Sequence, residues 1–175
     1  MFQKDYIMRM IEQLSIAFAA ILGSKSKTQI EEYHLLVNEA LYNLSGMSED
    51  TLLKLSHQDL ISIISGGREI NTEKCFALAE ILKLKADASK DDSDRGLELY
   101  LKSFNIFVEV TLNKSLNLQS RNQIINEIIN LIKQHNIPKE SSQLLFRYYE
   151  FTGQYDKAED VLFKMIKIYN QAQIT

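Results

Sequence analysis

Three histidines, one cysteine and a short aspartate run are the residues of this 175-residue chain whose types could do chemistry. Imidazoles and carboxylates hold metal ions when they converge at fixed spacings, such as two histidines one helical turn apart. His34, His57 and His135 lie in three separate segments with no paired spacing, so no metal site is expected. Asp91, Asp92 and Asp94 begin like a calcium loop, yet the glycine and terminal glutamate such a loop requires are not at their offsets. They read as a solvated acidic turn. Gly66-Gly67-Arg68 lacks the Lys-Ser/Thr pair of a phosphate loop, and a backbone turn explains its glycines. Cys75 sits next to the apolar face of a helix in Thr72-Glu73-Lys74-Cys75-Phe76-Ala77. No histidine is near it in sequence, so it reads as a small buried hydrophobe rather than a nucleophile. The expectation is a non-enzyme with no cofactor and no metal.

The bulk composition narrows the class further. Twenty basic against 23 acidic residues give a net charge of -3, too weak a field to gather nucleic acid or an anionic membrane. Lys25 and Lys27 form the only basic cluster, and Glu31 and Glu32 follow it, as in a solvated linker. A single cysteine permits no intramolecular disulfide and suits a reducing compartment. Ile16 to Leu22 is an apolar run, but Asp5 and Glu12 precede it where a signal peptide carries positive charge. It is also far short of the ~20 apolar residues that span a bilayer. A cytoplasmic protein with neither nucleic-acid nor membrane partners is expected.

One proline and six glycines in the whole chain disfavour folds rich in tight turns and favour helices. Apolar residues recur at spacings of three and four from about Lys4 to Leu22, including Tyr6, Ile7, Ile11, Leu14 and Phe18, and Gly23 is a natural stop. A second stripe, with Tyr33, Leu36, Val37, Ala40 and Leu41, runs from Thr28 to Gly46, making a helical hairpin. Ser48 and Ser56 precede carboxylates and then apolar runs, so each caps a short helix. Leu60 to Ile64 is β-branched enough for a strand, and the cap in front of it favours helix. Longer helices are expected from Asn71, near Arg95 to Asn113, from Ser120, from Lys139 to Thr152 and from Gln154 to Gln173. Pro138 opens one of these, where its missing N–H costs nothing. Gly96 alone stands inside a helix with no evident reason. Nine helices and no strand make the fold class all-α. Gly66-Gly67 marks a boundary between residues 1–67, a hairpin with two short helices, and residues 68–175, packed with the first part as one globular unit.

The stretch from Leu144 to Phe163 resembles one tetratricopeptide repeat. Leu145, Tyr149, Gly153, Tyr155 and Ala158 fall at that family's positions, and Pro138 closes the preceding unit. Phe146 and Met165 depart from it, standing where a small residue and an alanine are usual. The resemblance implies antiparallel helical hairpins stacked as a right-handed array, the other architecture being an irregular helical bundle. It further implies a partner groove lined by the first helix of each pair, which would place Gln143, Arg147 and Glu150 toward a ligand. The opening Phe2 to Leu14 is similar to an uncharacterised family of small helical proteins from low-GC Gram-positive bacteria, and that resemblance carries no activity.

Three functional readings follow. The first is a protein-interaction or scaffold module using a helical groove, its protein partner unidentified. The second is self-association, as a homodimer, through the amphipathic Phe2–Leu22 helix. The third is an enzyme or small-molecule binder whose site converges only in space.

Overall fold

The computed structural model describes residues 2–22, 26–89, 93–114 and 119–172. Gly23 and Lys25 of the first linker, and Asp91 and Asp92 of the acidic turn, lie outside them. Among the described residues there are nine α-helices and no strand, so the fold is all-α. In order they are α1 (Phe2–Ile21), α2 (Lys27–Ser45), α3 (Glu49–Lys54), α4 (His57–Ile64), α5 (Thr72–Ala88), α6 (Ser93–Lys114), α7 (Gln119–Ile132), α8 (Lys139–Phe151) and α9 (Tyr155–Ala172).

Local chemistry sets these boundaries. The hydroxyl of Ser56 accepts the Asp59 N–H at 3.0 Å and donates to the Asp59 carboxylate at 2.7 Å, so the segment Leu60–Ile64 is drawn into α4 rather than a strand. Ser48 and Asn71 cap α3 and α5 by accepting N–H groups three residues on. Gly66 and Gly67 both take left-handed backbone, with φ of 72° and 67°, which a side chain would resist. Gly96 is explained by its surroundings. It is buried at the start of α6, and a Cβ there would meet the Ser89 carbonyl oxygen at 3.5 Å and that of Ala86 at 3.8 Å, the last turn of α5. That is ordinary contact, so Gly96→Ala is expected to fit and to raise stability by about 0.5–1 kcal/mol through helix propensity. Gly96→Val, whose branches would strike the α5 backbone, is expected to lower it. Urea midpoints of the two variants check both.

The chain falls into two compact units, Met1–Val110 and Thr111–Thr175, with the division inside α6. In the first, α5 packs against α1, α2 and α4, so the helix after Gly66-Gly67 shares a core with the N-terminal hairpin. Tyr33, Val37, Leu41, Leu52, Leu60, Cys75, Phe76 and Leu82 fill that core, where the Phe76 and Phe107 rings stack at 5.7 Å. Tyr6, Leu22 and Leu36 lie on the apolar stripes by spacing, yet they are exposed. Helix α1 packs on α2 and α5, and the face it buries against them, with Ile7 and Leu14, is narrower than its sequence stripe.

In the second unit, Ile125, Ile128, Ile129 and Ile132 of α7 are buried, as are Leu144, Leu145, Tyr148 and Tyr149 of α8. The Tyr148 hydroxyl donates to Asn122 Oδ1 at 3.3 Å, joining α8 to α7. Helices α8 and α9 pack closely on each other. Lys157, early in α9, lies over the Tyr149 ring late in α8, so the two run antiparallel. Ala158 is 3% exposed, and its small side chain is what lets the backbones approach.

Candidate functional site

The open end of the α8–α9 hairpin carries exposed apolar side chains, among them Leu162, Ile166 and Ile168. Helix α7 closes where the His135 N–H reaches the Ile132 carbonyl at 3.0 Å. Asn136, Ile137 and Pro138 then run non-helically to α8, whose first turn is secured by Ser142 N–H on the Pro138 carbonyl at 2.9 Å. This brings Ile137 and Ser142 opposite the last turns of α9. A hollow of about 390 Å³ results, walled by Ile137, Leu162, Met165, Ile166 and Ile168, with Lys139 and Ser142 as its polar members. A second hollow of about 430 Å³ adjoins it, sharing Ile137, Ser142, Met165 and Ile168 and adding Lys133, His135, Lys164 and Lys167. One continuous groove thus has an apolar floor and a lysine-bearing wall.

The side chains around it are unusually bare for their size. Ile168 is 58% exposed and Ile166 46%, and Phe163, which lines neither hollow, is 60% exposed. Of the aromatics Tyr148, Tyr149, Phe151, Tyr155 and Phe163, Tyr148 and Tyr149 are buried in the hairpin core. Tyr155 and Phe163 are exposed because α9 carries apolar residues around more of its circumference than α8 covers, and Phe151, the last residue of α8, is exposed as well. The signal was present in the sequence: Val161, Leu162, Phe163, Met165, Ile166 and Ile168 are spread over too much of the helix circumference for α8 alone to cover.

Gln143, Arg147 and Glu150 are all exposed on α8, and their spacing sets them along one face. None of them walls the groove, whose residues come from α9, from the 133–138 segment and from the first turn of α8. The resemblance to a tetratricopeptide repeat thus names an exposed stripe of α8, while the α9 positions of the groove lie outside the residues it named.

The first unit holds a separate polar cluster. The Lys85 ammonium, 7% exposed, donates to Glu49 at 2.7 Å and to Asn38 Oδ1. Glu49 also accepts from Arg95 Nε at 2.8 Å, and Arg95 reaches Asp50 with its other arm. Beside them, Asp87 accepts from the Tyr100 hydroxyl at 2.6 Å and from Lys83 at 2.9 Å. These groups tie α2, α3, α5 and α6 together. The Lys85 amine, charged and engaged by two oxygens, is not placed to act as a nucleophile. Burial, with Lys85 close by, lowers the His34 pKa although Glu49 opposes the shift, so this imidazole favours its neutral form.

Burial pushes Tyr33, Tyr100, Tyr148 and Tyr149 up, Tyr148 to about 12, and Tyr100 further through its bond to the Asp87 carboxylate. Unfolded tyrosines ionise near pH 10. Above that the unfolded chain binds fewer protons than the folded one, so stability present below pH 10 is expected to fall as pH rises toward about 12. Tyrosinate absorbance from Tyr33, Tyr100, Tyr148 and Tyr149 is expected to appear only above the pH at which unfolded tyrosines ionise.

The histidines do not assemble. His57 is buried with Nε2 3.7 Å from Glu109, His34 is half-buried near Lys85, and His135 is exposed beside the groove. Among the described residues no three His, Cys, Asp or Glu side chains are grouped to hold a metal ion. Cys75 is fully buried, 3.7 Å from the Ser65 hydroxyl, and burial raises its thiol pKa. Native protein is accordingly expected to resist a thiol reagent such as DTNB, with one equivalent reacting after denaturation. No helix among the described residues is long and apolar enough to cross a membrane.

These features define an all-helical protein with an apolar, lysine-walled groove at the end of its C-terminal hairpin. The chain belongs to the family of unknown function DUF6483, whose model matches residues 1–175. No curated protein and no solved structure matches it.

Proposed function

We propose that this chain is a non-catalytic protein-interaction module of a reducing cytoplasm, which binds a segment of another protein in the α8–α9 groove. The observation that carries this reading is the apolar floor formed by Ile137, Leu162, Met165, Ile166 and Ile168. Its volume falls within the roughly 300–1,000 Å³ of ligand sites, and exposed apolar patches of this kind mark interaction surfaces. The hairpin acts in the manner of a tetratricopeptide unit. Gly153, with φ of 72°, turns the chain between α8 and α9, and buried Ala158 sets their close approach. Its ligand face differs from that of such repeats, since α9 rather than α8 supplies most of the groove.

Self-association through α1 has less support. Its exposed apolar residues Tyr6, Met8, Ile16 and Leu22 are dispersed around the helix, while Ile7 and Leu14 are already buried. A converged catalytic site has less support too, because the buried amine of the first unit is held by Glu49 and Asn38.

Photo-crosslinking in cells tests the proposal. A benzophenone side chain at position 162 should give a discrete crosslinked protein that Ile166→Asp removes, and the same probe at exposed Gln58 should not. An identical product from both positions, or none from position 162, would count against the groove.

A further inference from the structure

We infer that the groove takes an acidic amphipathic helix, one whose apolar anchors are flanked by carboxylates. The inference rests on the α8–α9 docking reading above and specifies its ligand. Four lysines, Lys133, Lys139, Lys164 and Lys167, line the two joined hollows together with His135, and among the described residues no Asp or Glu side chain lines them. This runs against the chain as a whole, whose net charge is -3. Lys133 meets a neutral partner, Asn130 Oδ1 at 2.8 Å. The carboxylates of α9, Asp156, Glu159 and Asp160, occupy its first two turns, whereas Lys164 and Lys167 lie in the part that walls the groove. A ligand is therefore met by apolar surface on the floor and by positive charge on one wall.

The backbone decides the ligand's conformation. An extended segment on this apolar floor would leave most of its N–H and C=O groups without partners, because helices and the short non-helical segment 133–138 wall the groove and no strand edge is offered among the described residues. A helix satisfies those groups internally and presents anchors at spacings of three and four residues, the helix-in-groove mode of recognition. Carboxylates beside the anchors would then face Lys164 and Lys167, which are themselves exposed and reach a partner without refolding.

The test is a selection of random peptides about four turns of helix long, displayed on phage and panned on the full-length protein, with Ile166→Asp protein as the counter-selection. Enriched peptides should carry aspartate and glutamate around an apolar stripe. Their affinity should fall about tenfold between about 0.05 and 0.5 M salt, as charge attraction is screened. Exchanging both wall residues, Lys164→Glu with Lys167→Glu, should shift the enriched set to lysine and arginine, and Lys164→Gln with Lys167→Gln should leave binding weak and insensitive to salt. Enriched peptides that lose binding to Ile166→Asp yet show no acidic bias and no salt dependence would overturn the acidic ligand and leave the groove standing. No peptide sensitive to Ile166→Asp would overturn both. Saturation of the groove by dodecanoate, with no acidic peptide competing, would overturn the peptide in favour of a lipid.

Discussion

Replacing Glu49 with alanine is expected to lower the unfolding free energy by about 3 kcal/mol, among the largest effects of a single substitution in this chain. Glu49 is 15% exposed and Lys85 7%, with 2.7 Å between their charged atoms. Removing the carboxylate leaves the ammonium buried against Asn38 alone, and stranding a buried charge costs far more than the pair contributes. Arg95 loses the same carboxylate, but it is 31% exposed and water can replace the contact. The companion variant separates stranded charge from lost packing. Adding Lys85→Met to Glu49→Ala removes the ammonium while keeping the length of the side chain, and the double variant should return to within about 1 kcal/mol of the parent. Denaturant unfolding of the four proteins gives the answer. Equal destabilisation in the single and double variants would mean that the cluster matters through shape and not through charge.

The second large effect concerns binding. Ile166→Asp sets a carboxylate on the groove floor, where a docked apolar anchor would desolvate it, and should weaken ligand binding by about a hundredfold, in the range of interface hot spots. Ile166 is 46% exposed in the free protein, so the same change should leave thermal stability within about 0.5 kcal/mol of the parent. That split between binding and stability is what distinguishes a docking residue from a core residue. Ala158→Leu should behave in the opposite way: Ala158 is buried between α8 and α9, and overpacking there should cost about 1–3 kcal/mol.

The helices were legible because their punctuation is local. Ser48, Ser56 and Asn71 carry their caps within three residues, and the period of the apolar residues gives the long helices to within a residue or two. The resemblance of Leu144–Phe163 to a repeat picks out the α8–α9 hairpin and places Gln143, Arg147 and Glu150, all exposed on α8, toward a ligand, whereas the two hollows take their walls largely from α9 and residues 133–138. Periodicity says which residues are apolar and which share a face. It does not say how much of each helix its neighbours will cover, and α9 keeps Leu162, Phe163, Ile166 and Ile168 exposed. Lys85 makes the same point, for its position among the apolar residues of α5 signals burial but names neither Glu49 nor Asn38, which arrive from other helices. Gly96 likewise acquires a reason only once the end of α5 is seen against it.

The most direct measurement of the central claim is a methyl NMR titration of the full-length protein, labelled at isoleucine and methionine, with the tightest acidic peptide from the selection. Shifts concentrated at Ile137, Met165, Ile166 and Ile168, with Ile16 and Ile63 unmoved, are the predicted result. Shifts confined to Ile16, Ile63 or other residues of the first unit, with the four groove residues unchanged, would contradict it.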